Sequence, residues 1–218
     1  MARVSEQSDD LAVVIRLGTE ADAQVAARLH AGLISDGFLA QLGPRFLDHL
    51  YRCIARGPDC FLLVAIGVAA NGDGDTGTRR PAIAGFLAGA LDLRALYRRF
   101  AWRHGLAAAM VSLPRLVGAL PRVWETLRHG ANAPRADAGG AELLSIAVDP
   151  AWRGRHVGAL LVDGFLDELA LRGEDHAQVV VGADNAPAVA LYGRAGFRPA
   201  RTFELHRGTT SLLMRRPG

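Results

Sequence analysis

One stretch limits the fold of this chain more than any other: ELLSIAVDPAWRGRHVGALLVDGFLDELALRG, Glu142 to Gly173. Leu143 to Val148 is a short apolar run that reads as a buried strand, and Asp149-Pro150 stops it. An arginine- and glycine-rich turn follows, Arg153 to Gly158. Val157, Leu160, Leu161, Phe165 and Leu169 then recur at the i, i+3, i+4 spacing of an amphipathic helix. A strand that feeds such a turn at a helix start suits phosphate. The first helical amides lack partners, and the helix dipole favours negative charge there.

A second block has the same grammar: QVVVGADNAPAVALYGRAGFRPA, Gln178 to Ala200. Gln178 to Val181 reads as a strand. Asp184 and Asn185 are good helix caps, and Pro187 suits a first turn. Gly196 ends the helix, and Phe197 opens a new apolar run.

The first block resembles the acyl-CoA-binding motif of the GNAT N-acetyltransferase superfamily, Q/R-x-x-G-x-G/A. Arg153 takes the first place and Gly158 the last, with His156 where the family usually has glycine. The second block matches N-x-x-x-x-x-x-Y-x-x-x-G-F through Asn185, Tyr192, Gly196 and Phe197. The resemblance covers roughly residues 11 to 215 apart from one insertion, and its specific motifs lie in residues 142 to 200. It implies an α/β (α+β) fold: a mixed, mostly antiparallel sheet with helices on both faces, in which two strands splay apart to take a pantetheine arm.

The resemblance also implies site residues. The co-substrate is acetyl-CoA, and no metal is implied. Ile146, Ala147 and Val148 line the pantetheine. Arg153, Gly154, Arg155, His156, Val157, Gly158 and Ala159 hold the pyrophosphate. Asn185 bonds the pantetheine arm. Tyr192 faces the sulfur and protonates the leaving thiolate. Glu142 stands where some members carry a catalytic glutamate, and it is the expected base for the attacking amine. Strand alternation is expected to put Glu142, Leu144, Ile146 and Val148 on one face and Leu143, Ser145 and Ala147 on the other.

The remaining chain predicts one large domain over 1–218 with a helical insertion at 92–140. Ala12 to Leu17 reads as a strand, with a helix to about Leu33 capped by Thr19 or Asp22. A second helix runs from Pro44 to Arg56, with Phe46, Leu47, Leu50 and Ile54 on one face. Phe61 to Ala69 and Ala82 to Leu91 are strands, joined by a polar glycine-rich loop over residues 71–80. Thr202 to His206 and Ser211 to Arg215 form an antiparallel pair.

Met1 to Asp10 is polar and no apolar run reaches 18 residues, so a cytoplasmic location is expected. Cys53 and Cys60, without ligand companions, read as buried thiols in a reducing compartment. All 25 basic residues are arginine, and the formal charge is +3. That balance suits anionic CoA, and no nucleic-acid partner is expected.

Three readings of the insertion stay open. Its apolar helical face packs on the domain or on a second copy of the chain, as in a homodimer. It is a lid over the acceptor site, in which Arg98 and Arg99 bind substrate phosphate. Or it is an amphipathic hairpin at a membrane surface. Leu93, Leu96, Tyr97 and Phe100 supply the apolar spacing, and a second helix is expected from Pro114. His104 and His129 are secondary candidates for the base. The function expected is transfer of an acetyl group from acetyl-CoA to a primary amine of a small molecule, an aminosugar among the candidates. The alternatives are a non-catalytic acyl-CoA sensor and a membrane-surface acyltransferase using a longer acyl chain.

Overall fold

The computed structural model describes residues 3–5, 12–34, 43–69, 80–100, 102, 140–206 and 209–218. The N-terminal half builds one face. Strand β1 (Arg3–Ser5) pairs with β2 (Val13–Leu17). Helix α1 (Glu20–Leu33) starts in a reciprocal cap, in which the Thr19 amide donates to Asp22 at 2.7 Å. Arg16 grips the same carboxylate at 2.8 Å and holds it below the usual carboxylate range. Helix α2 (Pro44–Arg56) has proline in its first turn and buries Leu47, Leu50, Tyr51, Cys53 and Ile54.

Strands β3 (Cys60–Ala69) and β4 (Arg80–Ala90) form the longest pair. Residues 93–100 are helical (α3), with Leu96 and Phe100 buried and Tyr97 exposed. The rest of the insertion, including the expected second helix, His104 and His129, lies outside the described residues. Strand β5 (Ala141–Val148), helix α4 (Val157–Leu171), β6 (Ala177–Gly182), α5 (Ala186–Arg194), β7 (Arg198–His206) and β8 (Thr209–Arg216) complete the fold.

The strands form one sheet in the order β1-β2-β3-β4-β5-β6-β8-β7, antiparallel except between β5 and β6. β1 is an addition to the sequence reading, which took Met1 to Asp10 only as a polar segment. Its pairing extends the sheet edge by Arg3↔Ile15, Val4↔Val14 and Ser5↔Val13.

Alternating side chains divide the interior in two. One core holds Phe61, Leu63, Leu143, Val157, Leu161, Phe165, Val179 and Phe197 under α4 and α5. The other holds Leu62, Val64, Phe86 and Ala147 with the buried faces of α1, α2 and α3. Both cysteines are buried in the second core, as expected, and burial pushes the Cys60 thiol up to about 11.

Two local features of β5 position the site. The ladder to β6 has only three rungs, Ala141↔Ala177, Glu142↔Gln178 and Leu143↔Val179. Beyond them β5 stays on β4 and β6 stays on β8, so the two strands part in a wedge. The second feature is a bulge. Ser145 pairs with Ala88 and Leu143 with Gly89, which leaves Leu144 as an extra residue. Bulges of this kind re-aim side chains. The bulge corrects the simple alternation: Leu143, Ile146 and Val148 pack on the α4 core, whereas Leu144 and Ala147 pack on the α1–α2 core.

No described helix is long and apolar enough to cross a membrane.

Candidate active site

The wedge has a free backbone edge. The Asp149 amide donates to Ala84 on β4 at 2.8 Å, so the antiparallel alternation turns Ala147 toward β4 as well. Ile146 and Val148 therefore present N–H and C=O to the open side, where a strand-like ligand could bond to them.

At the end of β5 the chain turns into a phosphate-sized nest. The Asp149 side chain accepts from the Ala151 amide at 2.9 Å, and residues Pro150–Trp152 make one turn of 3₁₀ helix. The Trp152 ring lies against Gly67 of β3, where a β-carbon would collide with it. That contact nails the turn to the sheet. Arg155 stacks over the same ring at 5.6 Å. Gly154 (φ 75°) and His156 (φ 60°) both take positive φ.

Among the described residues, no amide from Gly154 to Ala159 finds a hydrogen-bond acceptor; the first amide of α4 to bond is Leu160, to the His156 carbonyl at 3.0 Å. A run of donors at a helix start is the arrangement that suits an anion. Gly158 stands between α5 and the end of β5: a β-carbon there would lie at ordinary contact distance, 3.5 Å from Leu191 and 3.9 Å from Val148.

Helix α5 buries Tyr192 in the α4 core, and the Tyr-x-x-x-Gly-Phe spacing has a mechanical basis. Gly196 (φ 91°) closes the helix, and the Phe197 amide donates back to the Tyr192 carbonyl at 3.0 Å. The fully buried Phe197 ring then packs 5.9 Å from the Tyr192 ring and fixes it. Burial pushes the Tyr192 phenol up to about 12, so it carries its proton at neutral pH. Asn185 caps α5: its side-chain oxygen accepts from the Ala188 amide at 3.2 Å.

On the opposite side of the sheet, Glu142 is 8% exposed and accepts from the Gln178 amide nitrogen at 3.2 Å. The bulge places Ser145 on this same side. Its hydroxyl lies 2.9 Å from the Tyr51 hydroxyl of α2, which lies 2.6 Å from Nδ1 of His30 on α1. Sequence reading missed this polar chain. The one available signal was a serine inside the apolar run Leu143 to Val148; His30 and Tyr51 had none, being 21 residues apart and Tyr51 another 94 from Ser145. Burial lowers the His30 imidazole to about 4, so it is neutral, and raises the Tyr51 phenol.

The Acetyltransferase (GNAT) family model matches residues 97–197. That match spans a little under half of the chain, and the solved structures below share its fold. The solved GCN5-related N-acetyltransferase from Kribbella flavida superposes with a TM-score of 0.59 at 20% identity, covering 94% of this chain and 97% of that one. A mycothiol acetyltransferase of Clavibacter sepedonicus is 47% identical over 66 residues, 30% of this chain and 22% of that protein. The [ribosomal protein bS18]-alanine N-acetyltransferase of Salmonella typhimurium is 43% identical over 60 residues, 28% of this chain and 40% of that protein. The chain thus spans between about a fifth and two fifths of the length of these curated relatives.

The chain departs from the GNAT motif at His156, and the structure gives that position its physical meaning. The residue must hold left-handed backbone, which glycine does freely and histidine does at a cost. The side chain is exposed and does not fill the nest. The insertion contributes Arg98 and Arg99 at the end of the sheet away from the turn Arg153–Gly158. Arg98 is exposed, while Arg99 donates to Asp59 at 2.5 Å and reaches the Cys60 sulfur at 3.7 Å. With Ala95 and the exposed Trp102 they line a shallow pocket. The structure places the wedge and the turn Arg153–Gly158 at the end of β5 and buries Tyr192 in the α4 core; it does not bring Arg99 to them.

Proposed function

We propose that the chain is an acetyl-CoA-dependent N-acetyltransferase acting in the cytoplasm on a primary amine of a small molecule, with an aminosugar as the first candidate. The observation that carries this reading is the conjunction of three features: unbonded amides from Gly154 to Ala159, the open β5 edge at Ile146 and Val148, and a buried, protonated Tyr192 in the α4 core. These groups fit CoA. The amides and the helix dipole would hold the pyrophosphate, the exposed Arg153 and Arg155 adding positive charge. The β5 edge and Asn185 would take the pantetheine arm.

Bound acetyl-CoA supplies the activated acyl carbon. Glu142 takes the proton that the attacking amine must lose, directly or through water. Nitrogen–carbon bond formation and carbon–sulfur cleavage then leave a thiolate, which takes the Tyr192 phenol proton. A phenol near 12 is a weak acid for an ordinary thiolate, but a thiolate formed in the same apolar pocket is raised by the same desolvation, which keeps the pair matched. Arg98, beside the shallow pocket, is a candidate contact for a phosphorylated acceptor.

A second acceptor class is favoured by the 60-residue likeness to a protein-alanine N-acetyltransferase: the terminal amine of a peptide. A thiol-release assay with acetyl-CoA against aminosugars, polyamines, amino acids and alanine-initiated peptides tests both. Turnover with an aminosugar supports the first reading, and turnover confined to peptides replaces it with the second. Tight CoA binding without transfer to any amine would leave a sensor. Glu142→Gln should depress the rate most at low pH, where free amine is scarce; an unchanged pH–rate profile removes Glu142 as the base.

A further inference from the structure

We propose that Ser145 donates a hydrogen bond to the thioester carbonyl oxygen of bound acetyl-CoA, with Tyr51 and His30 as the positioning residues that aim its hydroxyl. The proposal rests on the reading of the chain as an acetyl-CoA-dependent transferase. It adds a side-chain donor to the main-chain N–H groups that the open edge of β5 already offers. Attack on the thioester drives negative charge onto the carbonyl oxygen, and a preorganised donor there is among the largest single contributions to such chemistry. Glu142 and Tyr192 are committed to the amine and the sulfur.

Position comes first. Ser145 lies two residues beyond the last β5–β6 rung, Leu143↔Val179, where the strands have begun to part. The bulge at Leu144 turns it away from the α4 core that holds Tyr192, and onto the side of Glu142. A regular strand would have placed Ser145 and Glu142 on opposite faces. The reacting centre is therefore flanked along β5 by a carboxylate and a hydroxyl three positions apart. Ser145 is half-buried, whereas Tyr51 behind it is 1% exposed and its ring is packed edge-on against Phe86 at 5.1 Å.

Direction follows from His30. Its Nε2 is buried and meets no partner among the described residues, while Nδ1 is 2.6 Å from the Tyr51 hydroxyl. Buried N–H groups without partners are rarer than acceptors without partners. The ring proton therefore sits on Nδ1, which donates to Tyr51. Tyr51 has one proton, and it donates to Ser145. Among the described residues the Ser145 hydroxyl has no hydrogen-bond partner besides Tyr51, so its own proton is left for a ligand. Every member of the chain is neutral, so the donor is fixed without placing a cation beside the incoming amine.

The test uses the full chain and acetyl-CoA labelled with carbon-13 at the carbonyl. In the wild type the bound carbonyl resonance should move downfield from free acetyl-CoA, as a hydrogen-bonded carbonyl does. Ser145→Ala should lose most of that shift with acetyl-CoA affinity within about twofold of wild type, and Ser145→Thr should keep it. With an amine that the wild type acetylates, kcat of Ser145→Ala should fall by about 10²-fold with little change in the acceptor KM. Tyr51→Phe should move the resonance part of the way. An unmoved resonance in both Ser145→Ala and Tyr51→Phe overturns the proposal and leaves the transferase reading intact. A wild-type chain that binds no acetyl-CoA overturns both.

Discussion

On the α4 side of β5, the groups proposed to meet a ligand are main-chain amides from one local turn, Gly154 to Ala159. On the α1–α2 side they are side chains, His30, Tyr51 and Ser145, brought from three elements far apart in sequence. The two sides of one strand thus follow different rules. Main-chain donors need a backbone path and tolerate any side chain that can follow it, which is how His156 can stand in a glycine's place. Side-chain donors need their atoms, and each depends on packing laid down by distant segments. In the proposed function, binding falls mainly to the first side and the amine's proton to the second, with Tyr192 reaching the sulfur from the α4 core.

The largest effect should come from attacking that division at Tyr192. Tyr192→Phe should slow single-turnover acetyl transfer by about 10²–10⁴-fold and leave acetyl-CoA affinity nearly unchanged. Rapid-quench kinetics beside calorimetry would read both; a variant that loses affinity but not rate would break the comparison. Gly158→Trp should do the reverse. There is room for a methyl beside Leu191 and Val148 but not for an indole. Acetyl-CoA affinity should fall by about 10²-fold, roughly 2.7 kcal/mol, while Gly158→Ala stays near wild type. Calorimetric equality of the tryptophan variant and the wild type would move the binding site elsewhere.

These predictions also mark what the sequence made legible. The strand–turn–helix after Glu142 and the Tyr192–Phe197 closure were readable because a few neighbouring residues dictate them: a proline, glycines at positive φ and a helical apolar stripe. Helix α2 was readable with the bounds Pro44 to Arg56 for the same reason. The Leu144 bulge was not. Its cause is the register with β4, and nothing in Leu143 to Val148 states which partner it will meet. The face of Ser145 was therefore misassigned, and with it the link to Tyr51 and His30. The β1 strand also escaped notice, because three residues at a sheet edge carry no period of their own.

The side-chain-built face should show itself in pH as well. His30 is neutral in the fold with a value near 4, against 6.5 ordinarily. As pH falls through 6.5 the unfolded chain takes up a proton that the folded chain refuses until about 4. Stability from this group is complete above pH 6.5 and is lost across that window, by about 2 kcal/mol once relaxation is allowed for. Urea unfolding at pH 7 and pH 4.5 should show a smaller drop in His30→Gln than in the wild type; equal drops would remove His30 as the cause. The smallest effect belongs to the backbone-built face. His156→Gly should stabilise the chain by about 0.5–1 kcal/mol, since relief of the left-handed strain exceeds the added backbone entropy. A loss of stability in the same urea titration would show that the imidazole has a structural role.

The three-rung ladder between β5 and β6 has a consequence for the motions of the whole molecule. It is a seam. On one side β2, β3 and β4 share long antiparallel ladders; on the other β6, β7 and β8 form their own three-stranded unit. Cooperative opening units tend to follow such divisions. The C-terminal strands should therefore exchange their amide protons as a group, ahead of β3 and β4. A ligand seated in the wedge would bridge the two units and slow that exchange, so that occupancy could be read from protons far from any atom it touches.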